Sequence, residues 1–259
     1  AVTGGSRGLG LALGRALAAR GAAFVLLIGG AGASPDPDER VAWTEAAGCE
    51  MRFVNSDLAT AEGVEKVCAT LRELFGVTNG RALHGLANCA GVAFPRGTMA
   101  DTSIAAWDRM MHVNARAPVF LMREAAAIMR AHRTPGSIVN VTSVAALGGA
   151  PFLFAYSSAK AALNCATKTA AAELQADRIR VNALVMGWTL TDNEHAGQTR
   201  DAGADWLAAA DASHPMGRIL RPVDLVATLG HLLSPATTMI TGTLVHVCPE
   251  HVDGTLARR

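Results

Sequence analysis

Tyr156 and Lys160 stand four positions apart, and Tyr156 is the only tyrosine in 259 residues. At that spacing on a helix the two side chains share one face, one turn apart. A free phenol ionises near pH 10 and is a poor base at neutral pH, and a neighbouring ammonium favours the phenolate. Ser143 lies upstream, just after the apolar run Ser137 to Val141, which has the composition of a buried strand. A serine at a strand end and a Tyr/Lys pair on the next helix can converge on one substrate oxygen. That set suits general acid–base work on a C–OH or C=O group. On its own, a Tyr and a Lys at this spacing serve packing and solvation equally well, so the surrounding elements must decide.

Those elements alternate. Thr3-Gly-Gly-Ser-Arg-Gly-Leu-Gly10 leads into a helix pattern over Leu11 to Arg20, closed by Gly21. Gly4, Gly8 and Gly10 permit a tight turn and let backbone N–H groups at a helix N-terminus approach a pyrophosphate. A strand must precede that turn, so a few further residues are expected upstream of Ala1. Phe24 to Ile28 reads as a second, fully buried strand. Ile28-Gly29-Gly30 stands where many dinucleotide folds carry an acid for the ribose diol. With no carboxylate there, Arg7 in the glycine turn can pair with a 2′-phosphate, which favours NADP over NAD; it can equally be a surface arginine.

A helix is expected over about 39–47 and a third strand over Glu50 to Val54. Asp57 beyond it can accept from an adenine amino group or serve as a turn residue. A helix over 61–75, a strand over 83–88 ending in Asn88-Cys-Ala-Gly91, and one long helix over about 105–133 follow. Asn114 and Pro118 mark a local irregularity in that helix. Its arginines, Arg116, Arg123, Arg130 and Arg133, read as a solvated face rather than a docking patch. The Tyr156 helix runs to about 176, a strand covers 178–185, and residues 186–214 form a polar, irregular lid with a short helix near 204–210. A helix over 222–233, a strand over 244–247 and a tail complete one α/β domain without repeats.

Bulk properties narrow the class. Half the residues are hydrophobic, enough for a sizeable core, and 23 Lys+Arg against 22 Asp+Glu leave a net charge of +1. That balance, with no concentrated basic stripe, argues against a nucleic-acid surface. No apolar run reaches membrane-spanning length and no signal peptide is visible, so a cytoplasmic location is expected. The odd set of five cysteines lacks metal-like spacing and reads as buried free thiols.

Along essentially its whole length the chain resembles the short-chain dehydrogenases/reductases (SDRs). The matches are Thr3-Gly4-x-x-x-Gly8-x-Gly10, Asp57, Asn88-x-Ala90-Gly91, Asn114, Ser143, Tyr156-x-x-x-Lys160 and Val181-Asn182. The resemblance implies a Rossmann-type, doubly wound parallel sheet of seven strands, order 3-2-1-4-5-6-7. It implies hydride transfer between a nicotinamide (NADP or NAD) and a small alcohol or carbonyl substrate. By it, Tyr156 is the acid–base, Ser143 bonds the reacting oxygen, Lys160 holds the nicotinamide ribose and lowers the Tyr156 pKa, and Asn114 holds a water of a proton relay. Gly4, Ser6, Arg7, Gly8, Leu9, Gly10, Asp57, Leu58, Asn88, Ala90, Gly91, Gly187, Thr189 and Thr191 are the implied cofactor contacts.

Two departures stand out: Cys89 replaces the family's second Asn, and Met186-Gly187 replaces Pro-Gly. Substrate candidates are Ala145, Leu147, Phe152, Phe154, Trp188, His195 and Trp206. The segment Gly187 to Glu194, with Asp205-Trp206-Leu207, resembles family members acting on sugars and polyols; an apolar ketone, a steroid or an acyl thioester is the alternative. A dinucleotide-sensing protein on the same fold is the non-enzyme alternative. Such proteins typically lack the Tyr or Lys, and here all four catalytic positions are filled. The family is usually tetrameric, so a homotetramer or homodimer is expected, with the apolar faces of 117–129 and 159–172 serving such contacts or an ordinary core.

Overall fold

The computed structural model describes residues 1–30 and 48–251. Seven strands, β1 (Val2–Thr3), β2 (Phe24–Gly29), β3 (Glu50–Asn55), β4 (Gly85–Asn88), β5 (Gly136–Ser143), β6 (Ile179–Met186) and β7 (Leu244–Val247), form one parallel sheet. Their order is β3-β2-β1-β4-β5-β6-β7, as expected. The order reverses between β1 and β4, and in open parallel sheets that switch point is where a ligand crevice opens beyond the strand ends.

Alternation along each strand feeds two cores. Leu26 and Ile28 of β2 face α2 (Ala61–Phe75), α4 (Ala117–His132) and α5 (Phe154–Leu174), packing with Leu71, Leu121 and Leu163. Val25 and Leu27 face the other way, onto Leu13 of α1 (Gly8–Ala19) and Leu225 and Leu229 of α8 (Pro222–Leu233). Strands covered on both faces read as continuous rather than alternating hydrophobic runs.

Every residue of β5 is buried, including its polar ones. Asn88 Nδ2 donates to Asn140 Oδ1 at 2.8 Å, Asn140 Nδ2 to Thr167 Oγ1 at 2.9 Å, and Thr167 Oγ1 to the Leu163 carbonyl at 2.7 Å. This chain stitches β4 to β5 and β5 to α5. Asn140→Leu removes its middle member and strands a donor on one side and a hydroxyl on the other. The expected loss is about 2–4 kcal/mol of unfolding free energy, read as a lower urea midpoint with unchanged slope; an unmoved midpoint would show that the chain contributes nothing.

Two segments differ from the sequence expectation. The single helix over 105–133 is α3 (Ile104–Met111), a π-turn (His112–Arg116) and α4. The irregularity comes from the two marked residues: Asn114 turns its side chain onto the Val92 backbone, and Pro118 has no N–H for the carbonyl four residues back. The lid holds the expected short helix as α7 (Trp206–Ser213), but its first half is not irregular: it is a second helix, α6 (Asp192–Ala202). Thr191 starts α6 by accepting the Glu194 N–H, a Thr-x-x-Glu start that was readable in the sequence.

The arginines also do more than solvate a face: Arg130 pairs with Asp177 and Glu173, and Arg116 donates to the Ala59 carbonyl. All five cysteines are free, but only Cys49, Cys68 and Cys248 are buried; Cys165 is exposed and Cys89 half-buried. The expected helix over 39–47 and the end of the tail lie outside the described residues.

Candidate active site

The reactive side chains meet at the carboxyl ends of the central strands. Ser143 closes β5, its hydroxyl accepting the Ala145 N–H at 3.2 Å. The next helix, α5, brings in Tyr156 and Lys160, with Lys160 Nζ 5.8 Å from the Tyr156 ring centroid. Lys160 is 3% exposed and donates to the Val141 carbonyl at 2.8 Å. One bond to β5 thus fixes the ammonium and leaves its other two protons for the cleft.

Burial dominates the electrostatics. It pushes the Tyr156 phenol up to about 12; a hydrogen bond with Ser143 pulls it back in part, and the Glu194 charge adds to the rise. Burial also lowers Lys160 to about 8, against a smaller opposing effect of Cys89. The expectation that Lys160 holds the phenol below its ordinary value is therefore corrected here: burial raises the phenol, and the group that opposes the rise is Ser143 rather than Lys160.

The lowered Lys160 value has a stability consequence. Between pH 8 and about 10 the unfolded chain keeps a proton that the folded chain has lost, so stability rises with pH through that window. Lys160→Met abolishes this contribution. The difference in unfolding free energy between wild type and variant is expected to grow by about 1.4 kcal/mol per pH unit there. A pH-independent difference in parallel urea titrations would contradict the burial.

Around these groups lies a cleft of about 1190 Å³. Its floor at one end is the β1–α1 turn, lined by Gly4, Ser6, Arg7, Gly8, Leu9 and Gly10, with Asp57 and Leu58 opposite and Ala90 and Gly91 between. α1 begins with no side-chain cap and no acid in its first turn, so its orphan N–H groups and positive dipole end face the cleft uncompensated. Gly4 sits at φ +69, and a methyl at Gly10 would lie 2.4 Å from the Gly4 carbonyl oxygen. Only glycine permits that tight turn, and its backbone fits a pyrophosphate. A methyl at Gly91 would lie 3.1 Å from Asn114 Oδ1 and 3.4 Å from Lys160 Nζ, so the catalytic side chains crowd this backbone as well. Gly187, Thr189 and Thr191 line the middle of the cleft. The donor set therefore fits a dinucleotide laid from Arg7 to Lys160.

Not every expected contact reaches the cleft. Asn88 spends its amide on Asn140 inside the sheet, and Asn114 is fully buried behind Gly91. Asp57 Oδ1 accepts the Ala59 N–H at 3.0 Å, the turn role, while the residue stays exposed at the cleft wall. Of the substrate candidates, Ala145, Phe152 and Trp188 line the cleft. Leu147 is 44% exposed and off it, Phe154 borders a separate small cavity, and His195 and Trp206 pack on each other at 5.8 Å.

Three lining residues were missed. Glu250 Oε1 accepts the Trp188 N–H at 2.5 Å and its Oε2 meets His214 Nε2 at 3.3 Å, tying the lid to the end of the chain. Arg96 and Glu194 form an ion pair at 3.0 Å across the substrate end. No spacing rule reaches pairs so distant in sequence.

The family model for enoyl-(acyl carrier protein) reductase matches residues 4–248. The chain belongs to the short-chain dehydrogenase/reductase family. It is an NAD(P)-dependent oxidoreductase acting between alcohol and carbonyl groups. This SDR is 33% identical over 249 residues, 93% of its length and 91% of the relative's, to 2-(S)-hydroxypropyl-CoM dehydrogenase 3 of Xanthobacter autotrophicus. It is 30% identical over 246 residues, 95% and 93% of the two chains, to cis-4-hydroxycyclohexanecarboxylate dehydrogenase of Sinomonas cyclohexanicum. Its structure superimposes on L-sorbose reductase from Gluconobacter frateurii, solved with NADPH and L-sorbose, with a TM-score of 0.84 at 29% identity, covering 98% and 96% of the chains. Among the described residues no helix is long and apolar enough to cross a membrane, and no His/Cys/Asp/Glu cluster could hold a metal ion.

Proposed function

We propose that this SDR interconverts a small, polar secondary alcohol and its ketone, with NADPH as the preferred cofactor. The convergence of Ser143, Tyr156 and Lys160 on one cleft, opposite the glycine turn, carries the reading. A nicotinamide held along this cleft would supply or accept the hydride. Tyr156 gives the proton to, or takes it from, the reacting oxygen, and Ser143 donates a second hydrogen bond to the charge developing there. Lys160, already tied to β5, offers its remaining protons to the ribose hydroxyls. Asn114 holds the backbone behind Gly91 and serves a water of the proton relay.

Cofactor choice rests on Arg7. It is exposed at the cleft rim, and β2 ends in Gly29-Gly30 with no acid to repel a 2′-phosphate. Fluorescence titration should show tighter binding of NADPH than of NADH. Arg7→Ala should weaken NADPH about 10- to 50-fold and leave NADH nearly unchanged. Equal weakening of both would remove the 2′-phosphate role; binding of neither by the wild type would remove the oxidoreductase reading.

The polar substrate class, a sugar or polyol, is favoured over an apolar ketone or 3-oxoacyl thioester. Arg96, Glu194 and Gln198 border the substrate end beside Trp188 and Phe152, and an apolar chain would bring no hydrogen-bond partner to this polar wall, whereas a hydroxylated substrate does. We also read the protein as a cytoplasmic homotetramer or homodimer. Val119 and Phe120 stay partly exposed on α4, while Leu121, Met122, Ala125 and Met129 of the same helix are spent in the core. Light scattering of the purified protein decides the state.

A further inference from the structure

The substrate end is organised by one carboxylate. Glu194 Oε1 accepts three bonds, from Arg96 Nη2 at 3.0 Å, Trp188 Nε1 at 2.7 Å and Gln198 Nε2 at 2.8 Å. Among the described residues none donates to Oε2. The side chain is 14% exposed and borders the cleft, so that second oxygen is oriented but unused.

The elements around it set the carboxylate on the same cleft that Ser143 and Tyr156 line. Gly97 donates to the Phe152 carbonyl at 3.0 Å and accepts from the Phe154 N–H at 3.2 Å, which pins the 96–97 segment against the residues just before Tyr156. The Arg96 guanidinium lies over the Phe94 ring at 4.6 Å and near the Phe152 ring at 5.8 Å, and is held there by Glu194. Trp188 stacks on Trp206 at 5.9 Å, so the indole that donates to Glu194 is itself fixed from the lid side. The Glu194 charge is also felt at the Tyr156 phenol. A carboxylate held through Oε1 by three donors cannot swing away, and a substrate lacking a donor opposite Oε2 leaves that oxygen without a protein or substrate hydrogen bond.

Resting on the oxidoreductase reading above, we propose that Glu194 is the specificity-determining residue of this SDR: its Oε2 accepts a hydrogen bond from a hydroxyl on the carbon next to the reacting one. The substrate class is then α-hydroxy ketones and their vicinal diols, with simple ketones and lone alcohols rejected. A site built to bond a hydroxyl discriminates strongly against the analogue without it, whereas apolar contacts distinguish the two only weakly.

Matched pairs test this in the full-length protein with NADPH: acetoin against 2-butanone, and 2-hydroxycyclohexanone against cyclohexanone. For wild type, kcat/KM should favour the hydroxy ketone about 10- to 100-fold in each pair. Glu194→Ala should bring both ratios to within about threefold of one, whatever happens to the absolute rates. Because Glu194 also anchors the lid, Gln198→Ala is the control: it removes one anchor but keeps the carboxylate, so both rates fall together and the ratios stay. Wild-type ratios near one, or ratios unchanged in Glu194→Ala, would overturn the role of Glu194 while leaving the oxidoreductase intact. Failure to bind either NADPH or NADH, and to consume either with all four ketones, would instead overturn the oxidoreductase reading, and with it this one.

Discussion

Replacing Tyr156 by phenylalanine is expected to lower kcat by roughly three to four orders of magnitude and to leave NADPH affinity within about twofold. The ring keeps its packing against α3 and α5, where Tyr156 joins Met110, Ala155 and Ala159 in a small cluster. Only the hydroxyl and its bond with Ser143 are lost. No second tyrosine exists to replace it. Because burial holds the phenol near 12, it is fully protonated at neutral pH and ready to donate to an alkoxide. Ketone reduction should therefore be flat from pH 6 up to the Lys160 value near 8, while alcohol oxidation, which needs the phenol proton gone first, should climb with pH over the same range. In the variant both profiles flatten at the residual rate. Stopped-flow kcat values, with separate fluorescence titrations of NADPH, give the two readings; near-normal turnover in Tyr156→Phe would remove Tyr156 from the chemistry.

The parts of this molecule legible in the sequence are those whose physics is local. Parallel strands buried on both faces leave unbroken apolar runs, and β2, β5 and β6 were placed to within a residue or two at each end. The glycine turn was readable because a backbone packed that closely, with Gly10 against the Gly4 carbonyl, excludes every other residue. Ser143, Tyr156 and Lys160 share two adjacent elements, so spacing alone brought them together. What was not legible depends on distance in sequence. Arg96 meets Glu194, and Trp188 meets Glu250, only after the lid folds over the strand ends. The helix α6 was hidden for a related reason. Its residues Asp192 to Ala202 are polar, with no apolar stripe to mark a period, and its place is secured by a cap and by Glu194 rather than by a buried face. The direction of the Tyr156 shift was misjudged because a nearby ammonium can be read from spacing, but the depth of burial cannot.

Asn114→Ala should lower both stability and turnover, and the two losses have separate origins. The Asn114 side chain is fully buried and works in both directions: Oδ1 accepts the Val92 N–H at 3.1 Å, and Nδ2 donates to the Val92 carbonyl at 2.9 Å and to the Met110 carbonyl at 3.1 Å. It thus clasps the chain just after Gly91 to the π-turn, as a strand partner would. Alanine leaves the half-buried Val92 N–H and carbonyl without these partners, a cost of about 2–4 kcal/mol. The turnover loss follows from where the clasp sits. A methyl at Gly91 would touch both Asn114 Oδ1 and Lys160 Nζ, so loosening residues 91–92 moves the backbone against which Lys160 and the cofactor are aligned. A misplacement of about 1 Å is enough for roughly a hundredfold loss in kcat. Rate measurements on protein shown to be folded at the assay temperature separate the two effects. A variant that loses stability but keeps kcat per folded molecule would reduce Asn114 to a structural clasp; a fall in kcat with KM for the ketone unchanged would place it on the path between Lys160 and solvent.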